Sequence, residues 1–133
     1  MSTLRKSEVS TEFMALVGFI IVIFISFVIV ISLKSQSVSD EILFNDAQKV
    51  SDTLASEINF ASSIEGYYRE FELPQTLQNS VIYNITVDTS FRYVKVAWGI
   101  NNVMSNIITS NVSGIPKPGL NRIRNNGGAI TIA

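Results

Sequence analysis

Hydropathy changes character three times along the chain. From Phe13 to Leu33, 21 consecutive residues carry no charge and read FMALVGFIIVIFISFVIVISL. At ~1.5 Å per residue a helix of this length spans about 32 Å, close to the ~30 Å of a bilayer's hydrocarbon core. Isoleucine and valine supply ten of these residues and phenylalanine four. In water that composition favours strands or aggregates. In lipid a lone segment must satisfy its own backbone hydrogen bonds, and only a helix does so. Gly18, Ser26 and Ser32 are either small residues that let helices approach closely or single polar breaks tolerated on a lipid-facing surface.

Lys34 to Ser39 is polar and serine-rich, a place for the helix to bend or loosen. From Asp40 to Glu65 helical periodicity returns in a different form. Leu43, Ala47, Val50, Leu54, Ile58 and Ala61 recur at intervals of 4, 3, 4, 4 and 3, one apolar stripe, with Glu41, Gln48 and Asp52 on the opposite side. Gly66 is the expected stop.

Beyond Gly66 the period shifts from 3.6 to 2. Tyr67–Leu73 alternates loosely and ends at Pro74. Val81–Val87 alternates cleanly, with Val81, Tyr83, Ile85 and Val87 on one face and Ile82, Asn84 and Thr86 on the other. Asp88-Thr89-Ser90 reads as a turn, Phe91–Trp98 as the return strand, and Gly99 as its end. Val103–Thr109 is a further strand, the stretch Ser113–Gly119 with Pro116 and Pro118 is loop, and Leu120–Arg124 pairs with Ala129–Ile132. These elements predict some five short strands, antiparallel and connected as a meander. The 67 residues from Tyr67 onward are marginal as an independent domain, so the sheet is expected to take the stripe of residues 43–61 as part of its core. The predicted fold class is α+β: a long N-terminal helix, apolar then amphipathic, with a small antiparallel β head packed on its C-terminal half.

Charge and composition narrow the function. Ten basic and eleven acidic residues leave no electrostatic footprint for nucleic acid. Without cysteine or histidine there are no disulfides, no thiolate or imidazole metal sites, and no histidine general base. No glycine-rich phosphate loop, catalytic constellation or metal-ligand spacing stands out, so neither an enzyme nor a bound metal is expected. No cofactor is expected beyond N-linked glycans, for which Asn84-Ile85-Thr86 and Asn111-Val112-Ser113 are candidate acceptor sequons. Tyr67, Tyr68 and Trp98 read as core aromatics, with an adhesive patch as the alternative; Arg92, Lys95, Arg122 and Arg124 read as solvated positions or as contacts to neighbouring heads.

The apolar run differs from a secretory leader, whose apolar stretch is roughly 7–15 residues with a cleavage site after it. Here the run is longer, and Glu8 and Glu12 sit just before it. Arg5 and Lys6 precede the run and only Lys34 follows closely, which places the N-terminus in the cytoplasm and the remainder outside.

The segment Arg5-Lys6-Ser7-Glu8-Val9-Ser10-Thr11-Glu12-Phe13-Met14-Ala15-Leu16 resembles the class III signal peptide of archaeal type IV pilins. In that family a basic pair and a small residue precede a peptidase cut, followed by QxSxExxxL and a long apolar helix. This chain reads ExSxExxxL, with Ser10, Glu12 and Leu16 on the matching positions, Ser7 where the family usually has glycine and Glu8 where it usually has glutamine. The resemblance implies cleavage between Ser7 and Glu8, which removes the basic leader and keeps the apolar helix. It also implies that Glu12 pairs with the free amino group of a neighbouring subunit; the alternative is that its carboxylate simply lies at headgroup level. Stretches of the head, among them Phe71-Glu72-Leu73-Pro74 and Tyr83-Asn84-Ile85-Thr86-Val87, are similar to archaeal pilin heads.

The expected organisation is a leader over residues 1–7, a transmembrane and filament-core helix over 8–39, an amphipathic half over 40–66 and a β head over 67–133. The expected function is a membrane-anchored subunit that assembles into an extracellular type IV pilus-like homopolymer for cell adhesion. The partners implied are identical subunits, membrane lipid before assembly, a prepilin peptidase and an assembly ATPase with its platform protein. The alternatives are a minor pilin or pseudopilin, and a single-span anchored binding domain that never polymerises.

Overall fold

The computed structural model describes the backbone from Ser2 to Ala133 and side chains from Ser10 onward. A single helix, α1, runs from Ser2 to Ser63, and the chain divides into two compact units after Asp40.

In the first unit, residues 13–33 are exposed throughout except for the half-buried Val17. The segment is long and apolar enough to cross a membrane. Ser26 does not leave an open donor: its Oγ donates to the Val22 carbonyl at 2.8 Å, one turn back. Lys34–Ser39, where a bend was expected, is helical throughout, and Ser39 Oγ makes the same backward bond to Ser35 at 3.2 Å.

In the second unit the predicted stripe is the inner face of the helix. Ala47, Val50, Leu54, Ile58 and Ala61 are buried and Leu43 is half-buried. Alanines at 47, 55 and 61 keep this face shallow, which allows close approach of the sheets. The helix ends at Ser63, and Gly66 (φ +75°) turns the chain toward the first strand.

Seven strands follow: β1 (Tyr68–Leu73), β2 (Asn84–Asp88), β3 (Tyr93–Trp98), β4 (Asn101–Asn106), β5 (Val112–Ser113), β6 (Gly119–Asn126) and β7 (Ala129–Ile132). They form two sheets, one in the order β1-β6-β7-β5 and one in the order β2-β3-β4. The second sheet is the expected meander; the first is not. There β1 pairs antiparallel with the distant β6, Phe71 opposite Asn121, and β5 pairs in parallel with β7 through Val112–Ile130 and Ser113–Thr131. The parallel strand falls where a loop was expected, because a two-residue strand shows no alternation to read. Residues from both sheets and the helix share one apolar core, including Phe71, Leu73, Ile85, Val94, Val96, Trp98, Val103, Ile123, Ile130 and Ile132.

The turns follow from local chemistry. Asp88 Oδ1 accepts the backbone N–H groups of Ser90 and Phe91, both at 2.9 Å, so the β2–β3 turn runs further than its three polar residues and β3 starts at Tyr93 rather than Phe91. Gly127 and Gly128, at φ +59° and +88°, close the β6–β7 hairpin in two residues, so β6 extends through Asn126.

Candidate assembly and modification surfaces

Ser7 and Glu8, the expected cleavage pair, lie outside the residues whose side chains are described. Ser10, Glu12 and Leu16 are all exposed on α1. Glu12 and Leu16 are four residues apart and therefore share one helix face.

The head keeps its polar interior satisfied. Four polar side chains are buried, namely Ser51, Glu57, Asn121 and Asn125, and among the described residues no buried side-chain nitrogen or oxygen lacks a partner. Ser51 Oγ donates to the Val94 carbonyl at 3.2 Å, tying α1 to the second sheet. Glu57 accepts from Arg69 at 2.9 Å and from the Tyr67 hydroxyl at 3.1 Å, tying α1 to β1. Asn121 clamps the preceding loop: its Nδ2 donates to the Lys117 and Gly119 carbonyls at 2.7 and 2.9 Å, and its Oδ1 accepts the Lys117 N–H at 3.0 Å. Asn125 caps the helix end, with Nδ2 donating to the carbonyls of Ala61 (2.7 Å) and Ile64 (3.0 Å). These locks were missed from sequence. Their signal was phase, since Asn121 and Asn125 alternate in step with Ile123, the residue between them on the inward face of β6.

The candidate aromatic patch does not come together. Trp98 is buried and meets Phe44 edge-on at a centroid distance of 6.4 Å. Tyr67 is half-buried against Glu57, and Tyr68 is exposed with the Arg124 guanidinium 5.6 Å from its ring centroid. Arg122 is engaged within its own head, its Nε 2.7 Å from Glu70 Oε1. The Arg122 guanidinium, with the Tyr68 hydroxyl, holds the Glu70 carboxyl below its usual range. Lys95 is half-buried on β3, and Arg92 is exposed in the β2–β3 turn with φ +57°. Among the described residues no group of three carboxylates is placed to hold a metal ion.

The two sequons differ in setting. Asn84 begins β2, an edge strand of the second sheet; it is exposed, and Thr86 is exposed two residues on, on the same face. Its cross-strand neighbour is the small Ala97. Asn111 is also exposed, but its Nδ2 donates to the Gly128 carbonyl at 3.2 Å. Its backbone carbonyl accepts from Ile130 at 2.9 Å, and Ser113 Oγ donates to the Ile130 carbonyl at 3.2 Å.

No protein-family model, curated protein or solved structure matches this chain.

Proposed function

We propose that this chain is a structural subunit of an extracellular filament of the type IV pilus kind, held in a membrane by residues 13–33 until it assembles. The observation that carries this reading is the apolar exterior of α1. Sixteen large apolar side chains between Phe13 and Leu33 have relative exposures of 47–70%. At about 1.5 kcal/mol or more for each such side chain, leaving them in water costs on the order of 20 kcal/mol. That exceeds the roughly 5–15 kcal/mol by which a typical domain is stable. The segment therefore needs lipid or a bundle of like helices around it.

Both environments are apolar, so moving from one to the other changes the hydrophobic energy little. Packing and helix-to-helix contacts decide which is occupied. A subunit can wait in the bilayer and enter a filament core without refolding. The resemblance of Ser10, Glu12 and Leu16 to the class III leader supports the filament over a permanent anchor, since a cut before Glu8 keeps the apolar helix on the exported chain. In this reading Glu12 becomes the fifth residue after the cut and pairs with the new amino terminus of a neighbouring subunit. The β head faces outward as the adhesive surface, and a prepilin peptidase and an assembly ATPase are its processing partners.

N-terminal sequencing of the protein recovered from membranes and from sheared cell-surface material tests the reading. A chain starting at Glu8 in both fractions is the expected result. A chain retaining residues 1–7 in the membrane, with none in the sheared fraction, leaves a single-span anchor instead.

A further inference from the structure

The two sequons share a sequence pattern and differ in what the fold does to them. We infer that Asn84 is the N-glycan acceptor of this chain and that Asn111 is a structural residue left unmodified. The inference rests on the export of the head argued above, because glycans of this type are added on the exported side.

An acceptor asparagine must offer Nδ2 to an activated sugar. Nδ2 attacks the anomeric carbon of a donor whose leaving group is a lipid-linked phosphate. The C–N bond forms as the C–O bond to phosphate breaks, the phosphate departs with the electron pair, and one Nδ2 proton passes to a base of the transferase. The chain contributes the amide and the hydroxyl two residues later. Both must be reachable.

At Asn84 they are. The residue is exposed at the start of an edge strand, and among the described residues neither its amide nor the Thr86 hydroxyl is engaged in a hydrogen bond. On the same outer face the cross-strand positions are Ala97 and, one strand further, Asn102, small and polar neighbours that leave room for the first sugar. At Asn111 each part is held. The amide is tied to the β6–β7 turn through Gly128, the backbone is tied to Ile130, and the Ser113 hydroxyl is tied to the Ile130 carbonyl. Immediately after the sequon, a Cβ on Gly114 would stand 1.8 Å from the Ile132 carbonyl oxygen, so the backbone there lies directly against β7.

A sugar at Asn84 has a further consequence. β2 leaves one side of its backbone without a partner strand, and Asp88 is its only charged residue. The opposite edge of that sheet, β4, is tied to α1, with Ser105 Oγ donating to Asp52 and the Asn106 carbonyl accepting from Asn59. A glycan at the start of β2 shields the open edge from pairing with another chain.

The test is glycopeptide mapping by mass spectrometry of the full-length protein purified from the cells that make it, combined with digestion of intact cells by added protease. The expected result is carbohydrate on the Asn84 peptide and none on the Asn111 peptide. Asn84→Gln and Thr86→Val each abolish the carbohydrate, and Asn111→Gln keeps it. Carbohydrate on Asn111, or on neither peptide of a head that the added protease digests, overturns the assignment while leaving export standing. A head that the protease cannot reach overturns export and the assignment with it.

Discussion

Replacing Asn125 with alanine isolates the bond between the end of α1 and the sheet that closes over it. The side chain is 2% exposed and makes three hydrogen bonds: two donated to the carbonyls of Ala61 and Ile64, and one accepted from the Gly128 N–H at 2.8 Å. The three are not equal. Ala61 is fully buried, so water cannot replace the amide at its carbonyl, which keeps only the long 3.4 Å contact from the Ile64 N–H, and the loss there is about 1–3 kcal/mol. Ile64 and Gly128 are exposed, and water replaces the amide there at a cost of roughly 0.5 kcal/mol each. The expected destabilisation is therefore about 2–4 kcal/mol, a shift of roughly 10–25 °C in the melting temperature of a unit of this size. Trp98 is the chain's single tryptophan and is 7% exposed, so its fluorescence reports urea unfolding of the detergent-solubilised full chain. Asn125→Asp sharpens the test. At neutral pH its carboxylate faces two carbonyls at the negative end of the helix dipole, so it should be at least as damaging as alanine. Burial beside those oxygens raises the folded-state pKa of the new carboxyl above its unfolded value. Its penalty is thus fully present at high pH and shrinks as pH falls through that raised pKa, where the protonated acid donates again. An Asn125→Ala protein that unfolds within about 0.5 kcal/mol of the parent would refute the view that this amide holds the helix end.

Four further substitutions probe other parts of the molecule. Tyr83 is buried, its hydroxyl donates to the Pro74 carbonyl, and burial pushes its pKa up to about 12. A folded-state pKa raised above the ordinary ~10 means its contribution is intact below pH 10 and is lost as pH rises through about 12. Far-ultraviolet dichroism should show the parent weakening across that interval and Tyr83→Phe changing less there, after an initial loss of about 1 kcal/mol at neutral pH. Gly114→Ala should cost about 2–4 kcal/mol and expose the β5–β7 amides to hydrogen exchange, since φ is +98° and the new Cβ would collide with Ile132. Gly127→Ala, at φ +59° with nothing within 4 Å of its Cβ, should cost only about 1 kcal/mol. Glu12→Ala should leave membrane insertion intact and abolish filaments in the sheared fraction; normal filaments from that variant would remove its proposed pairing role.

Part of the fold was legible because it is written locally. The uncharged run of residues 13–33 and the stripe through Leu43, Ala47, Val50, Leu54, Ile58 and Ala61 are periodic signals within one segment, and the helix carries both. The faces of the segment around β2 were equally plain, with Tyr83 and Ile85 buried and Ile82, Asn84 and Thr86 exposed. The sequons could be found by pattern alone, but not the difference between them. That difference lies in Gly128, Ile130 and Ile132, residues that meet Asn111, Ser113 and Gly114 only after β7 has been laid beside β5.

Periodic signals within one segment were readable without the fold: which half of the helix is apolar all round, where its amphipathic stripe runs, where the period changes, and which residues around β2 face inward. Which strands pair became visible only in the folded chain. β1 joins β6 rather than the strand that follows it, and β5 runs parallel to β7. The reason is that alternation specifies the face a residue presents and not the partner beside it. Partner choice is a sum over distant contacts, here Ser51 with Val94 and Asn125 with Ala61 at the helix end, 43 and 64 residues apart, and no short window along the chain contains both halves of either.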